Sequence, residues 1–302
     1  MRIAVTGRHG QIARSLLERA PASGIDIVTV ARPEVDLARP DSIEAGLRDL
    51  APDAVVSAAA YTAVDLAESE PALAHAINAA GAGAVARAAA RRGIPVVHLS
   101  TDYVFDGSLP RPYREDDPTG PLGVYGASKL EGERAVAAAN PDHAILRTAW
   151  VYSPFGRNFA KTMLALAGSR DEISVVSDQK GTPSNALDIA DGIIAVVRNL
   201  LERPHLPALR GVFHMTGGGE TDWAEFAAAI FAASAAAGGP SARVVAIPTS
   251  AYPTKARRPA NSRLDNSRLA AVHGVRLPPW RQSLPACIGR LVTGDFLGKD
   301  TT

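Results

Sequence analysis

"VTGRHGQIA", Val5 to Ala13, follows the first apolar run of the chain and decides how the rest is read. The run before it, Arg2–Thr6, is short, apolar and rich in β-branched residues, as a buried strand is. Gly7, Gly10 and Ala13 then fall in a G-x-x-G-x-x-A pattern, where the strand gives way to a helical stretch, Gln11–Arg19. Small residues at such a turn let the backbone approach a pyrophosphate, and the free amides of the helix N-terminus face it. Ala13 lets helix and strand pack closely. Gly7, His9, Gly10, Gln11 and Ile12 are therefore the candidate cofactor contacts of this turn.

Beyond the turn, short apolar runs alternate with helical patterns. Strands are expected at Ile25–Val30, Asp53–Ala59, Ile94–Ser100, His143–Thr148, Ile173–Ser177 and Gly211–Thr216. Helices are expected from Asp41 or Ser42 onward, from Pro71 to Arg92, from Tyr125 to Ala139 and from Asn185 to Glu202. This alternation predicts an α/β fold, a Rossmann-type doubly wound parallel sheet with helices on both faces. After about Gly217 the loops lengthen and fill with proline, glycine and arginine, as in "PTSAYPTKARRPANSR". The expected division is a dinucleotide-binding domain over 1–152, its sheet completed by roughly 171–216. A smaller C-terminal substrate-binding lobe takes 153–170 and 217–302.

The bulk numbers exclude other classes. The 302 residues are 46% hydrophobic and 21% charged, with 32 basic and 31 acidic side chains and a net charge of +1. That balance gives no reason to expect a nucleic acid or an anionic membrane as partner. No apolar run approaches the ~20 residues that span a bilayer, and the start of the chain reads as a strand rather than a signal peptide. One cysteine, Cys287, excludes an intrachain disulfide and a cysteine-based zinc site. A cytoplasmic location is expected.

The second strand bears on the cofactor. A site for NAD usually has an acid at this strand's end, about 20 residues past the glycines, for the ribose 2′-hydroxyl. Here Ala31 and Arg32 stand there, and Arg32, with Arg8 as a second candidate, suits a 2′-phosphate. NADPH is the expected cofactor, with NADH the alternative. Asp36 and Leu37 lie where an adenine ring would rest.

The reacting groups come next. "HLSTDYVFDG" brings Ser100, Thr101 and Asp102 to the carboxyl edge of the fourth strand, where open parallel sheets bind ligands. Tyr125 and Lys129 follow four residues apart in "VYGASKLEGE", on one face of a helix. A phenol has an ordinary pKa of about 10, and a neighbouring ammonium is expected to lower it. Thr101 can donate to a carbonyl or alkoxide oxygen. The three suit hydride transfer to a carbonyl carbon with Tyr125 supplying the proton, and the small residues between Tyr125 and Lys129 are expected to leave room for the cofactor. His98 reads as a core histidine. Glu68 and Glu70 read as charges at the start of the long helix.

With these residues in place the chain resembles the extended short-chain dehydrogenase/reductase family, and more closely the dTDP-4-dehydrorhamnose reductases. The closer resemblance rests on "AAAYTAVDLAESEP" (Ala58–Pro71), "STDYVFDG", "VYGASKLEGE", "RTAWVYSPFGRNFAKTML" (Arg147–Leu164), "DQKGTPS" (Asp178–Ser184) and "RRPANSRLD" (Arg257–Asp265), and so is spread over most of the chain. It implies catalysis by Thr101, Tyr125 and Lys129, with Ala58, Ala59 and Ala60 beside the cofactor. It also implies a nucleotide sugar near Asp102, Tyr103, Trp150, Asn158, Arg257, Arg258 and Asn261. The implied reaction is NAD(P)H-dependent reduction of the 4-keto group of a nucleotide-linked 6-deoxyhexose. Lys255, Arg257, Arg258 and Arg263 suit its diphosphate. Some relatives hold a divalent ion between subunits through glutamates; the matching positions offer Ser15 and Glu18 and no glutamate in "NALDIAD", so no metal site is expected. A homodimer stays open. So do a different nucleotide deoxysugar and a non-catalytic NADP-binding module of the same fold. A dehydratase is disfavoured, because no glutamate follows Asp102.

Overall fold

The computed structural model describes residues 1–48 and 50–294. The chain runs β1 (Arg2–Thr6), α1 (Gln11–Arg19), β2 (Asp26–Val30), α2 (Pro40–Leu47), β3 (Ala54–Ser57), α3 (Val64–Ala67), α4 (Pro71–His75), a π-helical turn (Ala76–Gly81) and α5 (Ala82–Ala90). It continues with β4 (Val96–Thr101), α6 (Val124–Ala139), β5 (His143–Thr148), β6 (Val151–Tyr152), α7 (Phe159–Ala167), β7 (Glu172–Val176), β8 (Lys180–Gly181), β9 (Ser184–Asn185) and α8 (Ala186–Glu202). The last elements are β10 (Gly211–His214), β11 (Thr221–Asp222), α9 (Trp223–Ala236), β12 (Arg243–Ile247), α10 (Ser267–His273) and α11 (Trp280–Thr293).

A six-stranded sheet in the order β10-β5-β4-β3-β1-β2 forms the centre, and every pairing in it is parallel. Its strands read as unbroken apolar runs because both faces are covered. Alternate residues serve opposite faces. Ile3, Val5, Val56, Val97, Leu99 and Leu146 pack under α1 and α8. Ala4, Val55, Val96 and Ile145 pack under α2, α5 and α6. Each fully buried valine or leucine here contributes roughly 1.5–3 kcal/mol. From β1 the chain turns to β2 on one side and then to β3 on the other. That reversal opens a crevice at the carboxyl ends of β1 and β3, where this architecture binds ligands.

Two expectations are corrected. β7 does not complete the central sheet; it pairs in parallel with β12, from Glu172↔Arg243 to Val176↔Ile247. β7 joins a third core with α7, α9 and α11, around Phe226, Ile230, Trp280 and Ile288. The domain boundary expected at 302 lies beyond the described residues. Nor is Pro71–Arg92 one regular helix, since Ala76–Gly81 widens to a π turn. There Gly81 lies against the Leu37 backbone (a Cβ would sit 2.5 Å from its carbonyl oxygen), and Asn78 reaches sideways to Tyr61 and Ser128.

Helix α6 lies unusually close to its neighbours. A Cβ at Gly126 would sit 2.1 Å from the Tyr103 carbonyl oxygen, and one at Gly132 2.1 Å from that of Asn78. Both obstacles are backbone and cannot swing aside. Gly132→Ala is therefore expected to cost about 1–3 kcal/mol of stability in chemical denaturation. Gly289→Ala, in a helix with nothing within 4 Å of the added methyl, should be neutral or stabilising by about 0.5–1 kcal/mol. Equal losses in the two variants would contradict this packing.

Candidate active site

The glycine turn sits in the β1/β3 crevice. Gly7 has φ +91°, which only glycine adopts without strain, and its amide donates to the Val30 carbonyl at 2.8 Å. A Cβ there would lie 3.3 Å from the Ala59 Cβ. Opposite, the amides of Ala58 and Ala59 both donate to Thr6 Oγ1 at 3.0 Å, fixing the end of β3, with Ala60 following half-buried. Helix α1 starts at Gly10 with no side-chain cap and no acid in its first turn, so its first amides remain available to an anion. His9 is exposed, and Ile12 packs into the core under the sheet. The Gln11 side chain is already engaged: it donates to the Val151 carbonyl at 3.4 Å and accepts from Ser153 Oγ at 2.7 Å.

Arg8 and Arg32 are both exposed, and neither has an ion pair among the described residues. Asp36 turns its carboxylate to the Ala38 amide (3.0 Å) and to Arg39 (3.5 Å). Leu37, expected beneath an adenine, is instead buried in the core with Val35 and Ile43.

The candidate reacting groups lie at the end of β4 and the start of α6. The amide of Val124, first in α6, donates to Glu68 Oε1 at 2.8 Å. Glu68 thus caps the helix that carries Tyr125, whereas it was expected to serve the helix after Pro71. Glu70 likewise accepts from the Tyr61 hydroxyl at 2.6 Å. Thr101 Oγ1 donates to Asp102 Oδ1 at 3.1 Å and lies within hydrogen-bond reach of the Tyr125 hydroxyl. The Tyr103 ring meets the Tyr125 ring edge-on at 5.7 Å. Burial pushes the Tyr125 phenol up to about 12, partly offset by the Thr101 hydrogen bond. The expected lowering by Lys129 is not found. Lys129 turns its ammonium to the Leu99 carbonyl (2.6 Å) and His98 Nε2 (3.4 Å), and burial lowers its own pKa to about 8. The small residues between the pair are also used differently from expectation. Gly126 packs on Tyr103, and Ser128 accepts from Asn78 Nδ2 at 3.0 Å.

The C-terminal segment closes over this edge. Asp102 has its Oδ2 buried without a partner, and burial pushes its carboxyl up to about 6, with the nearby Ser262 and Thr101 hydroxyls opposing the shift. Arg258 pairs with Asp65 at 2.6 Å and lies over the Tyr103 ring at 5.9 Å. Ala256, Arg257 and Pro259 line a small cavity with Tyr103, Gly123 and Tyr125. Arg257 is exposed and has no ion pair among the described residues, as is true of Lys255. Arg263 instead pairs with Glu220 at 2.8 Å.

Three expected substrate residues have structural contacts of their own. Trp150 stacks on Trp223 (3.5 Å between centroids, 11°) and covers Gly181; its φ of +47° is strained for a bulky residue. Asn158 caps α7, accepting from the Lys161 amide at 3.1 Å and donating to Ser153 and Phe155 carbonyls. Asn261 donates to the carbonyls of Leu109 and Arg111, both at 2.8 Å. Their amides hold the backbone, which is a structural task. Conversely, sequence reasoning passed over Glu133. It follows Lys129 by one more turn and binds Arg147 Nε at 2.8 Å, Arg147 Nη2 at 2.7 Å and Ser100 Oγ at 2.5 Å. The spacing that marked Tyr125 and Lys129 could have marked it.

Comparison with known proteins identifies the relatives of the chain. Residues 1–293 match the family model described as RmlD substrate binding domain. A protein of Sinorhizobium fredii named dTDP-4-dehydrorhamnose reductase is 52% identical over 99% of this chain and 100% of its own. One of that name from Salmonella typhimurium is 42% identical over 97% and 99%. A dTDP-4-dehydrorhamnose reductase structure from Bacillus anthracis in complex with NADP superposes with a TM-score of 0.87 at 34% identity, covering 95% of this chain and 98% of that one. A Thermus thermophilus UDP-glucose 4-epimerase (TM-score 0.76, 21% identity, 96% of this chain and 99% of that one) shares the fold. The chain belongs to the RmlD substrate binding domain family, the family of the dTDP-4-dehydrorhamnose reductases.

Proposed function

We propose that this chain reduces dTDP-4-dehydro-L-rhamnose at its 4-keto group to dTDP-L-rhamnose, using NADPH. The observation that carries the reading is the meeting of Thr101, Tyr125 and Asp102 beneath the Ala256–Ser262 segment, with Lys129 one turn along the same helix. The division of labour follows. Residues 1–152 with β10 hold the cofactor, and 153–170 with the chain after 217 hold the nucleotide sugar.

The turn fits a dinucleotide. Gly7 leaves no room for a side chain against Ala59, and α1 offers uncapped amides where a pyrophosphate would lie. Exposed Arg32, with Arg8, suits a 2′-phosphate. When bound, NADPH supplies the hydride to C4. The remaining work belongs to the chain. As C4 is reduced its oxygen gains charge; the Thr101 O–H, which rests on Asp102 Oδ1 here, swings to donate to it, and the Tyr125 O–H transfers its proton to it. A phenol held near 12 is fully protonated at neutral pH, which is the form a reduction needs. Lys129, whose pKa of about 8 keeps it charged at pH 7, does not act on the phenol where it rests on Leu99 and His98; to stabilise the phenolate left behind, its remaining N–H must turn toward that oxygen. Exposed Arg257 is placed to meet the sugar's diphosphate beside that cavity. The single thiol, Cys287, is buried, consistent with work in the cytoplasm.

Tyr125→Phe should lower kcat by about 100-fold or more while the NADPH dissociation constant changes little, measured by NADPH absorbance and fluorescence. Near-normal turnover would remove Tyr125 as proton donor. Arg32→Ala should raise KM for NADPH much more than KM for NADH; equal changes would exclude a 2′-phosphate contact. Because Lys129 must be cationic and loses its proton near pH 8, turnover should fall as pH rises through about 8. A rate flat to pH 10 would contradict that role.

A further inference from the structure

His98 was read from sequence as a core histidine, and the structure gives it a specific partner. It sits in the middle of β4, opposite Ser57 of β3, and only 1% of it is exposed. Lys129 is equally enclosed, at 2%. The two meet at 3.4 Å between Lys129 Nζ and His98 Nε2, while His98 Nδ1 lies 3.0 Å from Ser57 Oγ.

Donor and acceptor chemistry settles the tautomer. An ammonium only donates, so Nε2 must accept and the ring proton must lie on Nδ1, donating to Ser57. Burial and the Lys129 charge both hold the imidazole neutral, as this requires. The Leu99 carbonyl takes a second Lys129 N–H at 2.6 Å. A flexible four-carbon side chain is thus fixed by two acceptors from adjacent residues of one strand. One N–H is left for the site. Ser57 is followed directly by Ala58 and Ala59, whose amides are tied to Thr6 at the glycine turn. The chain Ser57–His98–Lys129 therefore links the floor of the crevice to the reactive helix.

We infer that His98 is a positioning residue: as a neutral Nδ1–H tautomer anchored on Ser57, it accepts from Lys129 and, with the Leu99 carbonyl, fixes where the ammonium sits on the helix that carries Tyr125. This rests on the reductase reading for its effect on rate, but the contact itself can be read without turnover. It differs from a packing role in what it demands of a substitute. Gln can place an acceptor oxygen near the Nε2 position, whereas Leu fills the volume and offers none.

The test compares His98→Leu and His98→Gln with the wild type, each first shown to be folded by circular dichroism and thermal unfolding. With dTDP-4-dehydro-L-rhamnose and NADPH, His98→Leu should lower kcat by about 10–100-fold with KM for the sugar nucleotide little changed, as misplacement of a reacting group does. His98→Gln should recover most of that loss. If the two variants turn over equally, or if the loss follows the unfolded fraction, His98 only packs. An activity-independent reading is the histidine 15N spectrum of the wild type. A neutral His98 with its proton on Nδ1 is expected, and a proton on Nε2 would overturn the inference. That spectrum, unlike the rates, stands even if the wild type proves inactive on this sugar. Inactivity would therefore count against the reductase reading alone.

Discussion

The buried ion pair between Glu133 and Arg147 is the constraint on which the active edge depends. Both side chains are about 95% enclosed, and the Ser100 hydroxyl donates a further hydrogen bond to Glu133. In one cluster α6 is joined to β5 through Arg147 and to β4 through Ser100. Charges removed from water in this way are tolerated only when each is paired, and removing one partner of such a pair costs about 3–5 kcal/mol. The pair sits one turn beyond Lys129 and two beyond Tyr125 on the same face of α6. Glycine at 126 and 132 lets the helix come close enough for these contacts. Glu68 holds its first turn. The Tyr125 phenol is thus set by a helix fixed at its start, its middle and its packed face.

Electrostatics along that face set the protonation states of the pair at neutral pH. A tyrosine beside a lysine invites the expectation of a depressed phenol. Here desolvation is the larger effect, and it acts on both groups: the phenol rises to about 12 and the ammonium falls to about 8. Glu133 opposes the second shift. The result is a protonated acid next to a cation that is still charged at neutral pH.

Much of this was legible in the sequence because it is local. The glycine turn, the alternating strands and helices and the four-residue Tyr125–Lys129 spacing are each fixed within a few residues of chain, and the structure sets them where the pattern implied. What escaped was long-range. Whether β7 joins the main sheet or pairs with β12 is decided by a partner about 70 residues away. Asn158 and Asn261 look like free polar groups until the backbone carbonyls they satisfy are seen. Trp150 looks like a free ring until Trp223 is found stacked on one face of it. His98 looks like filler until folding brings Lys129 to it from 31 residues away.

The central claim, NADPH-dependent hydride addition to C4 of the sugar, is tested most directly by isotope placement. The enzyme would be supplied with dTDP-4-dehydro-L-rhamnose and NADPH carrying deuterium at the transferable position, and the product examined by NMR. One deuterium at C4 of the deoxyhexose per NADPH oxidised is the predicted result. NADPH left unoxidised, or deuterium absent from C4 while the sugar is consumed, would contradict it.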